Sequence, residues 1–173
     1  MALKQFSGQY LPDLDRILLK ISTEQGDEYR FYITRRIAQL MLEHQQEKSL
    51  ALVAKSTSPN ATNEVLAFKQ DIVRQNTNWK QAFEPSKQLP LGEKPKLVYA
   101  VKYAVKQQAK ATQVIMSLTF RDNSALSVNL TQSSLTALQL LIEQLQTQAQ
   151  WGLLTLASSD PVIDHKVSAK ALH

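Results

Sequence analysis

Apolar and polar residues alternate over several short stretches of this chain, and such alternation is typical of half-buried β-strands. Between Ile17 and Thr34 two of these stretches flank a polar cluster that contains Gly26. The second stretch leads into Thr34, whose side chain is suited to cap a helix, and apolar residues then recur at helical spacing. We therefore predict a β-hairpin followed by a helix over residues 16–48.

The same pattern returns 97 residues later, between Val114 and Thr131, without a gap. Asn123 takes the place of Gly26 in the turn, and both residue types tolerate a positive φ. A leucine-rich amphipathic helix is predicted to follow over about 132–150. Few residues are identical between the two segments, so the repeat has two readings: an internal duplication, or chance recurrence of a common local motif.

One further helix and a connector are predicted between the two repeats. Residues 48–55 contain alternating apolar positions and are predicted to form a short strand that returns to the sheet. Helical spacing then predicts a helix over about 62–83, which Pro85 ends because the residue before a proline disfavours helical backbone angles. Three prolines and Gly92 mark residues 84–95 as a connector.

Helices that follow hairpins can cover one face of an antiparallel sheet, so the predicted fold class is α+β. The sheet would be built from two ββα units, at about 16–48 and 97–150, which form either one continuous sheet or two facing sheets. A lone unit of this size scarcely offsets its ordering entropy. We therefore expect one domain over residues 1–157 and a loosely ordered tail over 158–173.

The composition excludes several classes of functional site. The 173 residues include no cysteine, which excludes disulfides, thiolate nucleophiles and cysteine-ligated metals. The four glycines are far apart, so no glycine-rich phosphate-binding loop is present, and the three histidines lack metal-ligand spacing. We predict no cofactor, no metal site and no catalytic residues. An enzyme that uses dispersed carboxylates and hydroxyls stays open as a third alternative.

The chain contains no run of about 20 apolar residues and no readable export signal. We therefore expect a cytoplasmic protein without a membrane partner.

Lysines are concentrated in the middle of the chain, where a stretch of 31 residues contains only Glu84 and Glu93 as acids. The lysines of this stretch are Lys80, Lys87, Lys94, Lys96, Lys102, Lys106 and Lys110. Alternation along the long predicted strand places Lys96, Lys102 and Lys106 together on one face and assigns both Tyr99 and Tyr103 to the opposite, core face. Such a lysine face could follow a phosphate backbone.

Arg35 and Arg36 form a second basic site, at the first turn of a predicted helix where cations are disfavoured. Either these arginines form salt bridges with nearby acids such as Asp27 and Glu28, or they serve recognition. The predicted nucleic-acid-binding residues are Arg35, Arg36, Lys94, Lys96, Lys102, Lys106 and Lys110.

The function predicted from these features is non-enzymatic binding to a nucleic-acid backbone, within a larger complex or alone. The alternative is a structural or adaptor subunit that recognises only a protein partner or a second copy of itself. In topology alone, a hairpin followed by a capped helix resembles repeated sheet-and-helix folds that bind single-stranded nucleic acid.

Overall fold

The computed structural model describes residues 1–54, 62–76, 82–86, 88–107 and 112–153. The strands are β1 (Leu3–Leu11), β2 (Arg16–Thr23), β3 (Glu28–Ile33), β4 (Lys96–Gln107), β5 (Thr112–Phe120) and β6 (Ala125–Leu130). The helices are α1 (Arg35–Ala54), α2 (Thr62–Asn76) and α3 (Gln132–Gln148), with a short 3-10 turn at Pro12–Leu14. The predicted α+β class is confirmed.

The six strands form one continuous sheet in the order β1 to β6. Neighbouring strands are antiparallel except β3 and β4, which run parallel. We call their pairing, where Tyr32 lies opposite Leu97, the first junction. At the other end of the sheet, a parallel bridge between Ala2 and Asn129 brings β1 against β6, which we call the second junction. The amide of Asn129 donates to the carbonyl of Met1 over 2.8 Å, so the sheet closes on itself at this corner.

The repeat contains three strands and a helix in each half, so the predicted ββα unit lacked its first strand in the N-terminal half. β1 and β4 each pair with the next strand and carry one extra residue at matching positions, Lys4 and Tyr99. The pair Tyr32 and Leu97 at the first junction likewise matches Asn129 and Ala2 at the second. The two halves are therefore related by an approximate twofold arrangement of strand pairing.

Each main helix packs on the first strand of the other half: α1 lies on β4 and α3 lies on β1, and the two helices also contact each other. The inward side chains of β2, β3, β5 and β6 form the core with both helices, and Ile17, Phe31 and Leu118 are fully buried. At Gly8, where α3 crosses β1, an added Cβ would lie 2.6 Å from Cδ1 of Leu145. A larger residue here would push the Leu145 side chain aside, so glycine suits this close approach.

Of the two elements predicted between the halves, the strand over 48–55 is wrong, and the helix over 62–83 is confirmed for Thr62–Asn76 but not at its end. The predicted strand over 48–55 is instead the last part of α1 as far as Ala54, because Gln45 and Ser49 continue its buried face at a spacing of four residues. The predicted helix over 62–83 ends earlier, since residues 82–86 have no regular secondary structure. There the carbonyl of Glu84 accepts a hydrogen bond from the side chain of Gln5 over 2.8 Å.

The connector lies across the turn between β2 and β3. The amide of Glu28 donates to the carbonyl of Gln88 over 2.8 Å, and the amide of Ser86 donates to the Glu28 carboxylate over 2.7 Å. These bonds bury the Glu28 side chain beneath the connector. The predicted tail over 158–173 lies outside the described residues, and the single-domain assignment stays a prediction.

The two predicted capping threonines differ in geometry, which leads to a stability prediction. The Thr131 hydroxyl accepts from the amide of Ser134 over 3.1 Å, whereas the Thr34 hydroxyl is 3.5 Å from the amide of Ile37. We expect Thr131→Ala to lower the free energy of unfolding by about 1 kcal/mol, and Thr34→Ala to lower it by less. Urea denaturation of both variants measures this difference, and a larger loss for Thr34→Ala would contradict it.

Candidate nucleic-acid interface

The sheet has an inner face that packs on α1 and α3 and an outer face that points away from them. On β2, buried Ile17 and Leu19 point inward, so the residues between them point outward. The outer face of β2, β3 and β4 carries five cations. They are Arg16, Lys20, Arg30, Lys102 and Lys106. Among the strand residues that the structure describes, Glu28 is the only acid on this face, and it is buried.

A β-bulge in β4 decides which of its residues reach the outer face. Val98 lies opposite Phe120 and Ala100 lies opposite Thr119, so Tyr99 is the extra residue between them. The side chain of Tyr99 is 63% exposed, and its predicted core position is therefore wrong. Tyr103 is buried as predicted, and burial raises the pKa of its hydroxyl, which also accepts a hydrogen bond from Gln45.

Lys96 does not share a face with Lys102 and Lys106. It lies before the bulge and two residues from buried Val98, so its side chain is on the inner side of the sheet, as that of Val98 is. Its ammonium lies 2.5 Å from the Asp122 carboxylate and 3.0 Å from the Ser124 hydroxyl. The hydrogen bond from Lys96, with further bonds from Ser124, holds the pKa of Asp122 below its usual range. Lys96 thus closes the β5–β6 turn onto β4, and its charge is already neutralised.

Lys102 and Lys106 lie on the outer face as predicted, and both are exposed. Neither forms an ion pair with any acid in the described ranges. Ala104 lies between them, and their cross-strand neighbours are the uncharged residues Ser117 and Gln113. Lys94 is exposed just before β4, and Lys110 lies outside the described residues.

Arg35 and Arg36 are both exposed, and neither pairs with Asp27 or Glu28. The guanidinium of Arg36 donates to the backbone carbonyl of Tyr99 over 3.0 Å, so it supports the bulge of β4. Arg35 contributes positive charge near Asp15. Hydrogen bonds from Trp151 and Tyr10 are the main cause of the lowered pKa of Asp15, and Arg35 adds to them.

The outer-face cations of β2 and β3 were not predicted from the sequence. The Arg16 guanidinium lies 5.8 Å from the ring centroid of Tyr32, within range of a cation–π interaction. Lys20 lies opposite Arg30, whose guanidinium is 2.6 Å from the Glu28 carboxylate. Alternation along β2 already placed Lys20 on the opposite face from Leu19 and Ile21. It could not show that β2 and β4 belong to one sheet and carry their cations on the same face.

The described residues also include a sizeable cavity and an exposed aromatic side chain on α2. A cavity of about 500 Å³ lies between α2 and the start of α3 and is lined by Lys69, Ile72 and Thr136 among others. Beside it, Phe68 is 66% exposed on α2. Within the described ranges there is no group of three or more potential metal ligands. None of the described helices has the length and apolar character needed to cross a membrane.

Comparisons of this chain with protein-family models, with curated proteins and with solved structures find no match.

Proposed function

We propose that this protein binds nucleic acid non-catalytically, through contacts between the phosphate backbone and the cations of the outer face. The observation that carries the proposal is the charge of this face, with five cations on β2, β3 and β4 and one buried acid. Arg30 balances Glu28, so four cations have no acidic partner among the described residues. Lys94, just ahead of β4, adds a further exposed charge.

The internal repeat supports the proposal because the fold itself does not require these charges. When the two halves are aligned by their strand registers, Lys20 is equivalent to Ser117, Arg30 to Ser127 and Lys102 to Ser7. Each outer-face cation among these pairs therefore has a serine at the structurally matching position. Serine satisfies the backbone geometry equally well, so the concentration of cations on the outer face of β2, β3 and β4 supports a role in recognition.

Lysine and arginine contacts with phosphates release condensed counterions, so the affinity of such a complex falls steeply with salt. Each phosphate contact adds about 1 to the slope of log K against log salt. The proposed complex should therefore be strongest at low ionic strength.

The double variant Lys102→Glu with Lys106→Glu tests the proposal. Fluorescence anisotropy with a labelled oligonucleotide at about 50 mM salt should show an affinity loss of about tenfold or more, and a smaller salt slope. The matched control is Lys48→Glu with Arg74→Glu, two cations that lie on helices α1 and α2 and not on the outer face of the sheet. Both double variants lower the net charge from +5 to +1, so only the position of the charges differs.

Equal losses in the two double variants would show that net charge alone governs binding and would contradict the proposal. Failure of the unmodified protein to bind DNA or RNA at this salt concentration would also overturn it. The adaptor alternative would then become the leading hypothesis, and a search for a co-purifying protein would be the next measurement.

A further inference from the structure

We propose, on the basis of the function proposed above, that the ligand is single-stranded nucleic acid and that one of its bases stacks on Tyr99. Tyr99 is 63% exposed, on the same side of the sheet as Lys102 and Lys106. Exposed aromatic side chains beside cations are the usual platform for unpaired bases.

The position of Tyr99 is held by several contacts. As the extra residue of the bulge it lies beside Ala100, and both face Thr119 across the strand pair. The Arg36 guanidinium donates to its carbonyl, which secures the backbone on the side of α1. A ring on such a supported strand loses little conformational freedom when a base stacks on it, because only two side-chain torsions remain.

The matching bulge residue in the other half is Lys4, whose ammonium lies 3.4 Å from the carboxylate of Glu84. The bulge itself therefore accepts an ordinary polar residue, and a tyrosine is not needed to build it. Burial cannot account for Tyr99 either, because most of its side chain is in solvent. A ligand with a flat aromatic surface accounts for a tyrosine at this position.

The arrangement along β4 favours a single strand over a duplex. Lys102 follows Tyr99 by three residues, or about 10 Å of extended chain, and Lys106 follows by about 13 Å more. A backbone that follows these two lysines can direct one base onto Tyr99. The bases of a duplex are paired and stacked inside the helix, so they cannot reach a tyrosine ring on a sheet.

A second aromatic surface lies beside the first junction. Tyr32 lies opposite Leu97, two residues before Tyr99, and the Arg16 guanidinium lies over its ring. Arginine planes and tyrosine rings both stack with bases, so this pair extends the surface across β3 and β2. Asn129 and Gln113 occupy the matching places in the other half, and neither side chain is aromatic or charged.

The test compares three ligands of equal length: an oligothymidylate, the same oligonucleotide without bases, and a DNA duplex. The oligothymidylate should bind about tenfold more tightly than the abasic strand and more tightly than the duplex. Tyr99→Ala should remove most of the preference for thymidylate over the abasic strand, whereas Tyr99→Trp should keep it. Lys4→Ala, at the matching bulge, should leave the preference unchanged.

The stacking proposal is overturned if the unmodified protein binds the oligothymidylate and the abasic strand equally, or if Tyr99→Ala keeps the preference. The charge-reversed variant of Lys102 and Lys106 separates this result from failure of the proposed function. If that variant still weakens binding to the abasic strand, backbone binding stands without stacking. If it weakens binding to none of the three ligands, the proposed function itself fails.

Discussion

Phe31→Ala is expected to lower the free energy of unfolding by about 3–5 kcal/mol, the usual cost of truncating a buried aromatic ring. Phe31 is fully buried on β3, and its ring centroid lies 6.1 Å from that of Phe120 on β5. The ring therefore joins the cores of the two halves beside the first junction. Strand pairing on both sides of β3 restricts collapse around the cavity, so the cost should approach the upper part of this range.

Urea denaturation followed by circular dichroism measures this loss, with Phe31→Leu as the conservative control. We expect the leucine variant to lose less than half as much, because most of the volume is retained. Tyr99→Ala, which removes an exposed ring, should change stability by no more than about 0.5 kcal/mol. A loss below about 1 kcal/mol for Phe31→Ala would show that the two halves do not share a core at this position.

The hairpins, capped helices and turn residues could be predicted because their signals are local. Ile17, Leu19 and Ile21 alternate without interruption, and all three are buried. Gly26 and Asn123 both adopt a positive φ, at 87° and 62°, as their matching places in the two turns predict. Short-range periodicity and turn chemistry were sufficient for these elements.

β1 could not be predicted because its sequence lacks clear alternation. Gly8 occupies an inward position at which an apolar residue would normally mark the buried face, and the close approach of α3 accounts for it. The β4 bulge was missed for a related reason. Strict alternation assigned Tyr99 to the core, and only the register against β5 shows that one extra residue changes the face.

The predicted common face is confirmed for Lys102 and Lys106 and is wrong for Lys96, which is bonded to Asp122. A lysine pattern along one strand cannot show which lysines meet an acid from a distant turn. The same pattern could not include Arg16 and Lys20, because their place on a common face depends on the parallel pairing of β3 with β4. Contacts between distant segments of the chain decided both points.

The approximate twofold arrangement also allows the cations to be removed with little risk to folding. The triple variant Arg16→Gln, Lys20→Ser and Lys102→Ser introduces the residues that the other half carries at the matching positions. We expect its fold and stability to be retained, because the same strand pairing already accommodates these residues. Arg30 is left in place because its loss would leave the buried Glu28 carboxylate without its ion pair.

This triple variant should reduce oligonucleotide affinity on the order of a hundredfold at low salt and lower the salt slope by about 3. A relocated variant, which adds Gln39→Lys, Ala67→Lys and Gln75→Lys at exposed positions of α1 and α2, restores the original net charge of +5 but moves three cations off the outer face. It should bind more weakly than the unmodified protein, because the three added cations lie on the helices and not on the outer face with Tyr99 and Lys106. Anisotropy titrations of both variants measure these affinities. Equal affinity of the relocated and unmodified proteins would mean that total charge, and not its placement beside Tyr99, determines binding.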